Sequence, residues 1–359
     1  MPDIIRLERD ESLLEPDRFG DHPHPREMLF LAGHDEPEQA LLEAYRSGKL
    51  HHAWLLCGPE GVGKATLAYR FARFIFAHPD PAHASVQNAR DLAVGADHPV
   101  AGQVARQSYP DLAVIRRSLV KSGKSLSSDI AVDDVRDGLS ILRVTAGAGG
   151  WRVIIVDAAD DLNRASANAL LKLLEEPPAR VLFLLIAHRP GVLLPTIRSR
   201  CRALRVAALE ISEVSDVLKR LSDATPSLIA DAAEQSEGSP RQALALLDPI
   251  HAALRRDMAK LLRSLPSQDH KATMLLVDKA TGKPGQANFE IILAMLESHL
   301  RSTIHLGLSA RKPAAVLAAQ AELWDKLRRS ARDVEAYNLD RRPLLLSIFS
   351  ELADIERRA

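Results

Sequence analysis

The chain has 359 residues, of which 46% are hydrophobic, and its 47 Lys and Arg residues balance its 47 Asp and Glu residues. This length predicts two or three domains, and the zero net charge excludes a protein that holds nucleic acid by bulk positive charge. Only 4% of the residues are aromatic while Ala and Leu are abundant, so the composition favours helices over a β-sandwich or barrel.

The amino-terminal segment, residues 1–25, mixes acidic, basic and proline residues without periodicity, which predicts a flexible arm. It lacks the basic and then apolar pattern of a signal peptide. The longest apolar run of the chain, Val181 to Ala187, is too short to span a bilayer. We therefore expect a cytoplasmic protein without a membrane partner.

Residues 26–207 alternate strand and helix patterns, which is typical of an α/β domain with a parallel sheet. A helical pattern after Pro37 ends at Gly48 and precedes the first strand. The predicted strands are apolar runs of the kind that buried parallel strands show; they are Ala53–Cys57, Asp111–Ile115, Val153–Val156, Val181–Ala187 and Ala203–Val206. We therefore predict a parallel sheet of five strands.

Apolar periodicity predicts the helices of this domain. They span residues 66–76, a short stretch around 86–92, and residues 130–144, after which the glycines between 147 and 150 break the chain. A further helix begins at the N-cap Asn163. It ends near Glu175, because Pro177 and Pro178 cannot continue it.

No strand pattern follows Val206, so the rest of the chain is predicted to be helical. Residues 208–250 predict a small helical domain, and residues 251–359 a larger helical domain, here called the collar. Prolines predict breaks between the collar helices at positions 266, 284, 313 and 343. The collar helices carry apolar faces that we expect to bind neighbouring subunits; these faces include Ile291, Leu293, Leu296 and Leu300.

A phosphate-binding loop is the clearest motif. Residues 58–64, Gly-Pro-Glu-Gly-Val-Gly-Lys, match GxxxxGK between a predicted strand and a predicted helix, which is the context that this motif requires. Gly58, Gly61 and Gly63 allow successive backbone amides to point into one concavity. Lys64 supplies a positive charge for the phosphates at the helix N-terminus. The loop predicts a site for ATP or ADP.

Two positions around this loop depart from a working ATPase. Ala65 replaces the Ser or Thr that binds Mg²⁺, and Thr66 cannot substitute because one residue turns a helix by roughly 100°. Asp157 ends a strand as a metal-binding aspartate does, but Ala158 stands where a carboxylate would polarise the attacking water. We interpret Asp160 and Asp161 as the start of the Asn163 helix. The expectation is weak nucleotide binding, an incomplete Mg²⁺ site and no intrinsic catalysis.

Five stretches of the sequence resemble those of a known protein family. They are residues 47–68, NALLKLLEEPP at 168–178, PTIRSRC at 195–201, GSPRQALALLD at 238–248 and NLDRRPLLL at 338–346. On these the chain resembles the clamp-loader branch of the AAA+ family over nearly its whole length beyond the amino-terminal arm. The resemblance implies a P-loop AAA+ domain followed by a lid and a collar. It also implies a heteropentamer with tau/gamma and delta subunits that loads a sliding clamp onto primed DNA.

The same resemblance assigns roles to three residues. Arg200, in Ser-Arg-Cys, is the arginine finger that reaches a nucleotide bound by a neighbouring motor subunit. Arg241 matches the sensor 2 arginine that contacts the γ-phosphate of its own chain, although it is also explained as a helix N-terminal residue after Pro240. His188 falls at the sensor 1 position, where we interpret it as a hydrogen-bonded loop histidine.

Many relatives in this family hold zinc with four cysteines, but the only cysteines here are Cys57 and Cys201. The histidines of the corresponding region, at positions 78, 83 and 98, are too few and too irregular to replace that site. We therefore predict no zinc and no other metal site. A basic loop of residues 116–124 is favoured as a solvated loop over a DNA contact; its cations are Arg116, Arg117, Lys121 and Lys124.

Two other functions remain open from the residues alone. One is a hydrolysis-competent ATPase, either of the tau/gamma motor type or a stand-alone AAA+ enzyme, which Ala65 and Ala158 disfavour. The other is a P-loop kinase, which would need an acceptor-binding lid and a base that the sequence does not show.

Overall fold

The computed structural model describes residues 3–5, 7, 15, 18–120, 126–143, 150–265, 267, 269–282, 285–310, 312–337 and 339–358. The chain divides into two compact units, Met1–Leu244 and Ala245–Ala359. Each unit contains a buried apolar cluster built from its own residues. The described residues contain no helix long and apolar enough to cross a membrane.

A parallel sheet forms the centre of the first unit. Its strands are β1 (Ala53–Cys57), β2 (Leu112–Ile115), β3 (Arg152–Val156), β4 (Val181–Ala187) and β5 (Arg202–Arg205). They lie in the order β2-β3-β4-β1-β5, and every neighbouring pair is parallel. All five strands therefore end at one edge of the sheet, and β1 and β4 lie in its interior. The predicted five-stranded parallel sheet is confirmed.

The helices of the first unit are α1 (Asp35–Arg46), α2 (Lys64–Ala77), α3 (Ala84–Gln87), α4 (Pro99–Ala105), α5 (Val132–Gly138), α6 (Arg164–Glu175), α7 (Pro195–Arg198), α8 (Ile211–Leu221), α9 (Pro226–Gln235) and, up to Leu244, α10 (Pro240–Leu247). Asn163 caps α6 as predicted, because its side-chain oxygen accepts the backbone N–H groups of Ala165 and Ser166, both at 3.0 Å. The predicted 130–144 helix is wrong beyond Gly138, where the backbone tightens into a 3-10 helix, Leu139–Arg143. The sequence analysis missed α4, which starts with Pro99 in the first turn.

The predicted break of the chain at 147–149 lies outside the described residues. The described residues 18–25 of the predicted arm contact the domain. His24 is fully buried, and Arg18 forms an ion pair with Glu27 at 2.7 Å. The buried guanidinium of Arg73 on α2 donates to the Arg26 carbonyl at 2.9 Å and to that of Met28. The carbonyls of residues 26 and 28 are thereby fastened to a core helix.

The second unit consists of α11 (Pro249–Arg263), α12 (His270–Thr281), α13 (Gly285–Ser309), α14 (Ala314–Tyr337) and α15 (Arg341–Arg358). Leu296 and Leu300 are fully buried in its own core, so the prediction that they face other subunits is wrong. Pro343 lies in the first turn of α15, where a proline is tolerated, and does not break a helix. Pro266 and Pro284 lie outside the described residues.

Candidate functional site

The predicted phosphate loop connects β1 to α2 at the edge where the parallel strands end. Gly61 and Gly63 have φ values of 76° and 113°, a backbone conformation that residues with a Cβ rarely adopt. Gly58 has another constraint, because a Cβ there would lie 1.9 Å from the Val206 carbonyl oxygen. The free N–H groups at the start of α2 add positive potential to this loop.

Lys64, the first residue of α2, is directed into the loop and is only 3% exposed. Its ammonium donates to the carbonyl oxygens of Gly58 at 2.8 Å and Pro59 at 2.5 Å. Burial lowers the pKa of Lys64 to about 8, against the opposing effect of the Asp157 and Glu60 carboxylates. The pKa of Lys64 therefore lies close to physiological pH.

The start of α10 packs directly against the phosphate loop. Ser239 donates its hydroxyl to the Glu60 carbonyl at 3.0 Å, and the backbone N–H of Arg241 donates to the Gly61 carbonyl at 3.3 Å. The Arg241 guanidinium forms an ion pair with the Glu60 carboxylate at 3.1 Å. A Cβ on Gly61 would lie 2.5 Å from the Ser239 hydroxyl oxygen, so only glycine permits this approach.

The positions for a metal ligand and a base lie at the ends of β3 and α2. Asp157 follows β3 and is 8% exposed, and the neighbouring Ala158 has no side-chain oxygen. Ala65 on α2 likewise offers no hydroxyl. Among the described residues, no group of three or more His, Cys, Asp or Glu is arranged to hold a metal ion. The glycine amides and Lys64 fit a phosphate, whereas the usual Mg²⁺ hydroxyl and water-polarising carboxylate are missing.

Asp160 and Asp161 do not begin the Asn163 helix, so that interpretation is wrong. They lie in a separate 3-10 turn, Ala159–Asp161. The Asp160 carboxylate accepts the backbone N–H groups of His188 and Arg189, at 2.5 and 2.9 Å. Asp160 therefore holds the segment after β4 in place and is occupied with two hydrogen bonds.

His188 is hydrogen-bonded as predicted through its backbone N–H, which donates to Asp160, but not, within the described part of the chain, through Nδ1 of its ring. Its buried Nδ1 atom has no hydrogen-bond partner among the described residues. Burial lowers the pKa of His188, and the positive charge of Lys64 lowers it further. The imidazole is thus favoured in its neutral form beside the phosphate loop.

Arg200 lies at the opposite edge of the sheet. It precedes β5, whose first residue Arg202 pairs with Trp54, while Arg205 pairs with Cys57 at the start of the phosphate loop. At about 3.3 Å per residue, these two pairs alone are separated by roughly 10 Å. Arg200 therefore lies at the end of the strands that is remote from the region where its own chain would bind phosphate.

The Arg200 side chain is held at the surface. Its Nη2 atom lies 2.7 Å from Glu175 Oε1, and Nη1 donates to the Thr196 carbonyl at 3.0 Å. The side chain remains 34% exposed. Burial raises the pKa of the nearby Cys201 thiol to about 12, so Cys201 is an unreactive packing residue.

Glu60 and Glu175, which pair with the predicted arginines, were not predicted as their partners from the sequence. Of the basic loop, Arg117 forms an ion pair with Asp161 at 3.3 Å, and Arg116 lies 3.5 Å from Glu15. Lys121 and Lys124 lie outside the described residues. Arg116 and Arg117 therefore have partners within the chain.

A family model described as DNA polymerase III, delta subunit, matches residues 33–210. DNA polymerase III subunit delta' of Pseudomonas aeruginosa is 34% identical over 212 residues, which cover 57% of this chain and 58% of that protein. Subunit delta' of Yersinia pestis is 31% identical over 244 residues and 67% of each chain. Subunit tau of Salmonella typhimurium is 27% identical over 335 residues, 86% of this chain and 48% of tau.

A solved gamma subunit-related protein of Thermotoga maritima is 17% identical, with a TM-score of 0.44 over 88% of this chain and 99% of that one. The matched region thus spans less than two thirds of the Pseudomonas relative.

Proposed function

The chain belongs to the delta-prime family of DNA polymerase III subunits, and from this we propose that it is a non-motor subunit of the clamp loader. In this role it works in the cytoplasm beside tau/gamma and delta subunits in a heteropentamer. The complex opens the sliding clamp and places it on primed DNA. The chain contributes Arg200 to the nucleotide site of a neighbouring motor subunit.

The location of Arg200 is the observation that carries this proposal. The guanidinium lies at the edge of the sheet opposite the phosphate loop, is partly exposed, and is fixed by Glu175 and Thr196. A planar, permanently charged fork at a surface is suited to a phosphate on another chain. In phosphoryl transfer such a group stabilises the charge of the transition state.

The chain's own phosphate loop supports a site that binds ATP or ADP weakly. The Lys64 ammonium is occupied by two loop carbonyls, and the Arg241 guanidinium is paired with Glu60. A nucleotide would have to replace these contacts before it gained Lys64 and Arg241. Without a hydroxyl at position 65 or a carboxylate at position 158, bound ATP would not be hydrolysed at an appreciable rate.

The runner-up function, a hydrolysis-competent motor subunit, draws support from the long match to subunit tau. The same two alanines argue against it, since they remove a metal ligand and the group that polarises water. A steady-state ATPase assay on the isolated chain separates the two functions. The proposed function predicts negligible turnover, and Mg²⁺-dependent turnover that Lys64→Ala abolishes would favour the motor.

The second compact unit supports an assembly role for the predicted collar. It forms its own core and also leaves large apolar side chains exposed, which are available for contacts with other chains. These side chains are Met274, Leu275, Leu306, Leu308 and Leu339. We assign contacts with the other subunits to this unit.

The central experiment replaces Arg200 by Ala in a clamp loader reconstituted with wild-type motor and delta subunits. We expect normal co-purification of the complex, because the side chain is partly exposed. Hydrolysis at the adjoining motor site should fall by roughly a thousandfold or more, and clamp loading onto primed DNA should be lost. Arg198→Ala, which removes an exposed arginine of α7, is the control. Wild-type loading by the Arg200 variant would refute the proposal.

A further inference from the structure

The contact between Glu175 and Arg200 joins two sequence stretches that are separate in the chain. Glu175 is the last residue of α6, and Arg200 follows α7. Glu175 Oε1 lies 2.7 Å from Arg200 Nη2, which is the length of a charge-assisted hydrogen bond. The stretch NALLKLLEEPP therefore meets PTIRSRC through this ion pair, in addition to the apolar core that Leu170, Leu174 and Ile197 share.

The position of Glu175 in its helix is electrostatically unfavourable. The carboxyl end of a helix carries a partial negative charge, so an acidic side chain there destabilises the helix. The helix end has another partner, because the imidazole of His52 lies 3.0 Å from the Leu174 carbonyl oxygen. The presence of a glutamate at position 175 is thus not explained by the stability of α6 itself.

The geometry leaves part of the guanidinium available. An arginine has five N–H donors. In addition to Glu175, Arg200 donates from Nη1 to the Thr196 carbonyl at 3.0 Å and to the Ser199 hydroxyl at 3.4 Å. Nε has no partner among the described residues. The guanidinium is oriented at three points and still retains donors for a phosphate.

We propose that Glu175 is a positioning residue that holds Arg200 in the orientation in which it meets the phosphate of the neighbouring subunit. This inference rests on the proposed function of Arg200. Both side chains are partly exposed, so their ion pair contributes little to the stability of the fold. Its contribution is to restrict a flexible side chain before the neighbouring site assembles, as preorganised catalytic groups require.

The test compares two adjacent glutamates in the reconstituted complex. Glu175→Gln keeps the shape of the side chain and removes its charge. Glu176→Gln is the matched control, since Glu176 is also exposed but forms no ion pair with a residue that the structure describes. We expect Glu175→Gln to lower DNA-stimulated ATP hydrolysis and clamp loading by roughly ten- to a hundredfold. Glu176→Gln should match the wild type, and the melting temperatures of both variants should be unchanged.

A double variant separates positioning from other roles. If Glu175 acts through Arg200, adding Glu175→Gln to Arg200→Ala causes no further loss of the ATP hydrolysis that remains in the complex, because effects within one unit are not additive. A further loss in that background, or an equal loss with Glu176→Gln, would overturn the inference. The inference would also be overturned if the Glu175→Gln complex loaded clamps at the wild-type rate while the Arg200→Ala complex was inactive. The proposed function of Arg200 would be unaffected by that result. Wild-type rates for Arg200→Ala would refute the proposed function itself.

Discussion

Two Glu–Arg ion pairs lie near opposite edges of the same parallel sheet. Where the strands end, Glu60 of the phosphate loop pairs with Arg241 at 3.1 Å. Where the strands begin, Glu175 pairs with Arg200 at 2.7 Å. The first pair ties the chain's own nucleotide loop to α10, whereas the second fixes an arginine at the surface. The same kind of ion pair thus engages an arginine beside the phosphate loop in one place and, in the proposed function, orients an arginine for another chain in the other.

The largest effect is expected from the shape of the cation at position 200. Arg200→Lys keeps the charge but loses the planar fork that contacts Glu175 and Thr196 together. We expect clamp loading by the reconstituted complex to fall by roughly a hundredfold or more. Arg198→Lys serves as the control. Full activity of the Arg200→Lys complex would mean that a point charge is sufficient.

At the other edge, the low pKa of Lys64 predicts a pH-dependent nucleotide affinity. With a pKa of about 8 in the free chain, the ammonium loses its proton as the pH rises above that value, and its attraction for phosphate is lost. Binding of a fluorescent ADP analogue to the isolated chain should weaken roughly tenfold for each pH unit above about 8. Lys64→Arg remains charged and should remove this dependence. Binding that strengthens as the pH rises would contradict the assignment.

The smallest effect concerns the pair that occupies the chain's own site. Glu60→Gln removes a carboxylate next to the phosphate loop and releases Arg241. Because exposed ion pairs are weak, we expect ADP to bind only roughly threefold more tightly, as measured by calorimetry. Glu43→Gln, at an exposed position of α1, should leave binding unchanged. Weaker binding after Glu60→Gln would show that the glutamate assists the nucleotide.

Local signals predicted most of the sheet. β1 and β4 have the predicted bounds, since each is an unbroken apolar run that is buried in the sheet interior. The helix after the phosphate loop begins at Lys64, two residues before the predicted Thr66, because Gly63 in a left-handed conformation starts it directly. α4 was missed although Pro99 is a helix-start signal.

The site was predictable only as far as its motifs extend. GxxxxGK identified Lys64, and the resemblance identified Arg200 and Arg241. Their glutamate partners come from distant parts of the chain, so only the tertiary fold brings each pair together. Leu296 and Leu300 show the same limit, because an apolar helix face does not reveal whether it packs on its own chain or on another.

The proposed role of Arg200 is tested by comparing two variants within a reconstituted clamp loader. Lys64→Ala disables the chain's own phosphate loop, and Arg200→Ala removes the group offered to a neighbour. Clamp loading onto primed DNA is measured with each variant and wild-type partner subunits. We expect wild-type loading with Lys64→Ala and a loss of loading with Arg200→Ala. Loading that requires Lys64 and tolerates the loss of Arg200 would contradict it.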